Sequence, residues 1–115
     1  MQMTSYAVRA YRASSGHRPL RDQEADVFRR VNGALRASRD ASPMARVRAL
    51  SDNRRLWGAV TDLMRDPQNA WPAPLRAQIV SIGVAVKREM DAECPDWDFL
   101  IGINDQIAAG LSGQG

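Results

Sequence analysis

Apolar residues in this chain recur at helical rather than strand spacing, in blocks divided by breaks that carry proline or glycine. From Pro19 to about Ser38 the apolar positions 20, 27, 28, 31 and 35, with Ala34 between them, follow the i, i+3, i+4, i+7 rule of an amphipathic helix. Arg29, Arg30, Arg36 and Arg39 project the other way. Before it, "SSGHRP" (14–19) ends a shorter block in which Thr4 and Ser5 cap a helix to about Ala13, with Tyr6, Ala10 and Tyr11 facing inward. After it, "RDASP" (39–43) is a break, and Pro43 suits the first position of a short helix through Leu50. Ser51 or Asp52 then caps a further helix to Arg65, with Asn53, Leu56, Trp57, Val60 and Met64 on its buried face. The expectation for 43–65 is two helices rather than one bent one.

The segment "DPQNAWPAP" (66–74) holds three prolines and is the clearest loop. Leu75, Ile79, Ile82, Val86 and Met90 form the main stripe of a long helix reaching about Glu93, and Val80 and Val84 widen it, so this helix is expected at the centre of the fold. "CPD" (94–96) ends it, and Asp96 caps a last helix through about Leu111 carrying Trp97, Leu100, Ile101, Ile107, Ala108 and Leu111 on one stripe. Residues 110–115 are expected to be a frayed tail. The fold class read from this pattern is all-α, a small antiparallel bundle of about five to six helices forming one domain over residues 1–115.

Composition fits that picture: 115 residues, 44% apolar and 25% charged, suit one soluble core. No apolar run approaches the roughly 18 residues of a spanning helix, and Arg9 and Arg12 interrupt any signal-peptide core, so a cytoplasmic protein with no membrane contact is expected. Cys94 is the only cysteine and has no intramolecular partner, which suits a reducing compartment. The charge is unevenly placed. Residues 1–60 carry twelve arginines against five acids, and residues 61–115 carry three arginines and a lysine against eight acids. A basic half invites nucleic-acid or acidic-protein partners, whereas interspersed arginines are also the ordinary solvated faces of helices.

Catalytic chemistry has no foothold in the sequence. His17, the only histidine, sits beside Arg18 in a Gly-Pro loop and is an incomplete ligand set. Asp91, Glu93 and Asp96 crowd Cys94 and disfavour its thiolate, and they lack the spacing of a calcium loop. Phosphate-cradling and hydrolase motifs are absent, so neither an enzyme nor a cofactor or metal is expected. Binding remains. Arg29, Arg30, Arg46, Arg48, Arg54 and Arg55 are candidates for phosphate contacts, without a helix-turn-helix or aromatic RNA-binding pattern to support them. For a protein partner, Trp71 and the tyrosines Tyr6 and Tyr11 are either interface aromatics or lids on the core.

Four segments in order, "RDQEADVFRRVNGAL" (21–35), "SDNRRLWGAVTDL" (51–63), "PLRAQIVSIG" (74–83) and "DFLIGINDQIAAGL" (98–111), resemble the FlaF family of flagellar biosynthesis regulators over about Tyr6 to Leu111. The resemblance implies a cytoplasmic, non-enzymatic factor needed for flagellin production and export; a monomer is expected rather than an oligomer. Such a factor engages flagellin before secretion, as a dedicated chaperone would, and works with the translational regulator FlbT. It also implies a client whose terminal segments are amphipathic helices. An RNA-binding regulator of flagellin mRNA, alone or with FlbT, is the alternative. Among the recurrent positions, Arg54, Arg55, Arg76 and Asn104, together with Trp71, are the partner-binding candidates. Phe28, Leu56, Trp57, Leu75, Ile79 and Ile103 are the expected core of the pattern. Ala85 stands where the family often has tryptophan, and Gly102 where aspartate is common.

Overall fold

The computed structural model describes residues 18–112, with side chains from Gln23 onward, and the helix expected from Thr4 to Ala13 lies outside them. Among the described residues the chain is all-helical: α1 (Arg18–Ser38), α2 (Pro43–Arg65), α3 (Ala73–Met90) and α4 (Trp97–Leu111). That is four helices rather than five to six, and the main correction concerns residues 43–65. They form one helix, capped by Ser42, whose side chain accepts from the Ala45 N–H at 3.1 Å, with Pro43 in the first turn. Ser51 and Asp52 do not cap anything. Asp52 instead receives Arg55 at 3.0 Å on the surface, and Asn53 turns its amide into the core, so neither competes with the helix backbone. Asp96 caps α4 as its sequence position suggests, accepting from the Phe99 N–H at 3.0 Å.

Helix order across the bundle is α4–α1–α2–α3. Bonds from Arg29 to Ser112 and from Arg39 to Asp98 run in opposite chain directions, so α4 lies antiparallel on α1 rather than on α3, its neighbour in sequence. Helix α3 packs principally on α2, at one end of the row, and is not central. Its apolar breadth is not matched by burial: Ile79, Gly83, Val86 and Met90 face inward, whereas Val84 is 48% exposed. Phe28, Trp57 and Ile79 are buried in the core, and Leu56, Leu75 and Ile103 pack half-buried against it. The Phe28 and Trp57 rings meet edge to face with centroids 5.5 Å apart.

A buried amide relay ties all four helices together. Asn104 of α4 donates to Asn53 Oδ1 at 2.8 Å and to Asn32 Oδ1 at 3.3 Å, and its own Oδ1 accepts the Trp57 indole N–H at 2.9 Å. Asn32 of α1 donates to the Ile101 carbonyl at 3.0 Å and to Asp105 at 2.8 Å. Asn53 of α2 reaches the Met90 sulfur of α3 at 3.3 Å. All three asparagines are at most 1% exposed. Each therefore depends on the others for partners that water would otherwise supply.

Asn104→Leu leaves the Asn53 and Asn32 side-chain oxygens without their donor and the Trp57 N–H without its acceptor, each costing about 1–3 kcal/mol. A urea titration should show a loss of about 3 kcal/mol or more, and a loss below about 1 kcal/mol would mean that the relay is dispensable. Gly83 lets α3 pack tightly on α2, since a Cβ there would lie 2.9 Å from Thr61 Oγ1 and 3.3 Å from the Trp57 ring. Gly83→Ala should destabilise by about 1 kcal/mol, because overpacking outweighs the helix propensity gained. Gly33→Ala, with nothing within 4 Å of its Cβ, should stabilise by about 0.5–1 kcal/mol.

Candidate functional site

Helix α1 carries more apolar surface than one neighbour covers. Ala25, Phe28 and Leu35 are buried in the bundle, while Val27, Val31 and Ala34, at i, i+4 and i+7, form a second, half-buried stripe beside them. Leu56 and Ala59 of α2 face the same space, and together they floor an open groove of about 780 Å³ between α1 and α2. Its rims are charged. Arg30 stands on the α1 side, and Asp52, Arg55 and Asp62 on the α2 side. The groove thus has an apolar floor with charged residues along both edges.

Among the partner-binding candidates, the structure brings Arg55 alone to this groove. Its side chain is 78% exposed. Arg54 lies on the opposite side of α2, where it donates to Asp91 at 2.6 Å and, at 3.5 Å, to the Met90 carbonyl. Asn104 is inside the relay. Trp71 is 5% exposed and lines a small apolar cavity of about 20 Å³ with Phe28, Met64 and Ile79. The loop is drawn back onto the bundle by Asn69, which donates to the Leu63 carbonyl at 2.8 Å and accepts the Trp71 N–H at 2.8 Å. Arg76 completes it, with Nε on the Trp71 carbonyl at 2.9 Å and Nη1 on the Met64 carbonyl at 3.2 Å, near the C-terminal end of α2. Ala85 is exposed, and Gly102 is half-buried with open space where a side chain would begin.

Part of the uneven charge of the two halves is taken up within the fold. Arg36 pairs with Asp105, Arg39 with Asp98 at 2.8 Å and Arg54 with Asp91 at 2.6 Å, each joining the basic half to the acidic half. Arg46 lies over the Trp97 ring, 6.0 Å from its centroid. The Asp91 carboxyl is held below its usual range by the hydrogen bond from Arg54, and then by that from Lys87 at 3.0 Å. Among the described residues no group of three or more side chains is placed to hold a metal ion. No described helix is long and apolar enough to cross a membrane.

Sequence reasoning passed over Val27, Val31, Ala34 and Ala59 as a separate surface, although apolar neighbours at 27–28 and 34–35 announced a wide arc. It placed Asn53 on a buried face but missed the relay, whose sign was one asparagine on the apolar stripe of each of three helices.

The fold and site define an all-α bundle with an apolar groove between its first two described helices. The chain matches the model of the flagellar protein FlaF over residues 5–111 and belongs to that family. It is thus a flagellar protein. No curated protein and no solved structure matched it.

The Asp91 shift gives a pH prediction. Its folded value lies below its unfolded one, so the unfolded chain binds more protons in that window and stability rises with pH. The contribution is present above the ordinary carboxylate value of about 3.9 and is lost as pH falls through the folded value. Asp91→Asn should therefore be less stable than the native chain at pH 7, with the gap closing as pH falls below the ordinary carboxylate range and narrowing in high salt. A gap that persists at low pH, measured by thermal melts, would place the effect elsewhere.

Proposed function

We propose that this flagellar protein is a non-enzymatic binding factor that holds an amphipathic helical segment of flagellin in the α1–α2 groove, promoting flagellin synthesis and secretion as a dedicated chaperone. The observation that carries the reading is the half-buried stripe Val27, Val31 and Ala34, continued by Leu56 and Ala59, on a helix already packed on its other side. Covering the apolar face of a client helix blocks its self-association without bond chemistry. Ordering an unfolded segment costs part of the gross interaction energy, so the affinity is moderate for the area buried. The internal pairing of Arg36, Arg39 and Arg54 supports apolar recognition over a phosphate-binding surface.

The test is calorimetric titration with purified monomeric flagellin at low and high salt, using the native chain and Ala59→Glu. Ala59 is exposed, so the substitution should leave the melting temperature nearly unchanged. We expect saturable, salt-tolerant binding with a negative heat-capacity change, weakened at least about tenfold (about 1.4 kcal/mol) by Ala59→Glu. Absence of binding, or affinity indifferent to Ala59→Glu, overturns the reading. A complex with flagellin mRNA that falls steeply with salt would put RNA in flagellin's place.

A further inference from the structure

We infer that the groove favours one direction of its helix over the other, selected by opposite charges on its two walls; this rests on the groove being the helix-binding site. On the α2 wall Arg55 and Asp52 form an i, i+3 pair at 3.0 Å and largely cancel each other. What remains is Arg30 on the α1 wall and Asp62 on the α2 wall, both exposed and neither with an ion-pair partner among the described residues. The groove is therefore apolar below, cationic on one side and anionic on the other.

An amphipathic helix laid in such a groove keeps its apolar face down whichever way it runs. Turning it end for end exchanges its left and right flanks. A helix with acids along one flank and bases along the other meets complementary charges in one direction. In the other direction it sets acid against Asp62 and base against Arg30. The same logic lets flanking charges fix orientation in coiled coils, and like-charge juxtaposition supplies the rejection. The ligand class is accordingly an amphipathic helix of split flanks, acidic where it passes α1 and basic where it passes α2.

Cys94 supplies the readout. It is an exposed cysteine in the turn between α3 and α4, and the Arg54–Asp91 bond and the Arg46–Trp97 contact place that turn toward the Asp52 end of the groove. The probe is a model peptide of about 20 residues with leucine and alanine on one face, glutamates along one flank and lysines along the other. Its two ends lie roughly 30 Å apart when helical. With a donor dye on Cys94 and an acceptor on either peptide end, energy transfer at low salt reports which end lies near. We expect one end to dominate by roughly fivefold to tenfold in population, a range set by two exposed charge contacts exchanged for two repulsions. The double variant Arg30→Glu/Asp62→Arg should reverse the dominant end. Equal transfer from both ends, or an order that the double variant leaves unchanged, overturns directionality while the groove reading stands. A peptide that does not bind overturns directionality, and if flagellin also fails to bind the groove reading falls with it.

Discussion

One side-chain amide, that of Asn104, is the constraint on which the arrangement of helices depends. It uses both its donors and its acceptor on groups from α1 and α2, and Asn53 carries the connection to Met90 on α3. Apolar packing is tolerant of sliding and rotation, whereas a buried amide with fixed partners is not. The relay therefore sets the register in which Phe28 meets Trp57 and Gly83 meets Trp57. Register at the centre then decides what is left at the edge. With α1 rotated so that Asn32 points inward, Val27, Val31 and Ala34 necessarily turn toward the gap beside α2. The groove is the outer consequence of an inner hydrogen-bond choice.

Charge plays a different part. The pairs from α1 to α4 and from α2 to α3 lie on the surface, and such pairs add little stability individually. They do favour partners of opposite sign. Helices α1 and α2 carry most of the arginines, and the acids that meet several of them sit on α4 and at the end of α3. A charge split that resembles an invitation to nucleic acid is thus in part an agreement between helices of the same chain.

Much of the fold was legible because apolar spacing reports helices directly: α1, α3 and α4 begin and end within a few residues of where their stripes and breaks put them. Residues 43–65 were misjudged because Ser51, Asp52 and Asn53 have the composition of a cap, and tertiary partners for Asn53 overrode that local preference. The position of α3 was misjudged because a broad apolar arc was equated with centrality, although Val84 spends its breadth on solvent. The α1–α4 pairing leaves no local trace at all. At the candidate site, Arg55 was legible as a charge flanking an apolar face. The groove floor was not, because a stripe shows which residues are apolar and not which neighbour fails to cover them. Trp71 between prolines has no stripe to place it, which leaves interface and core both open in the sequence, and it is Asn69 and Arg76 that draw its backbone inward.

The pairing of α1 with α4 also orders events in time. Asn32 and its acceptor at Ile101 are 69 residues apart in sequence. A ribosome releases the chain from its N-terminal end, so α1 emerges long before the helix it packs against. During that interval α1 can lie on α2 with Phe28 against Trp57, but the face that α4 will cover stays open and the Asn32 amide has only water for company. Contacts of such long range close late and slow folding, and exposed apolar surface in the meantime invites association. Synthesis of the last helix is then the step that commits the chain, because only α4 brings Asn104 to the centre.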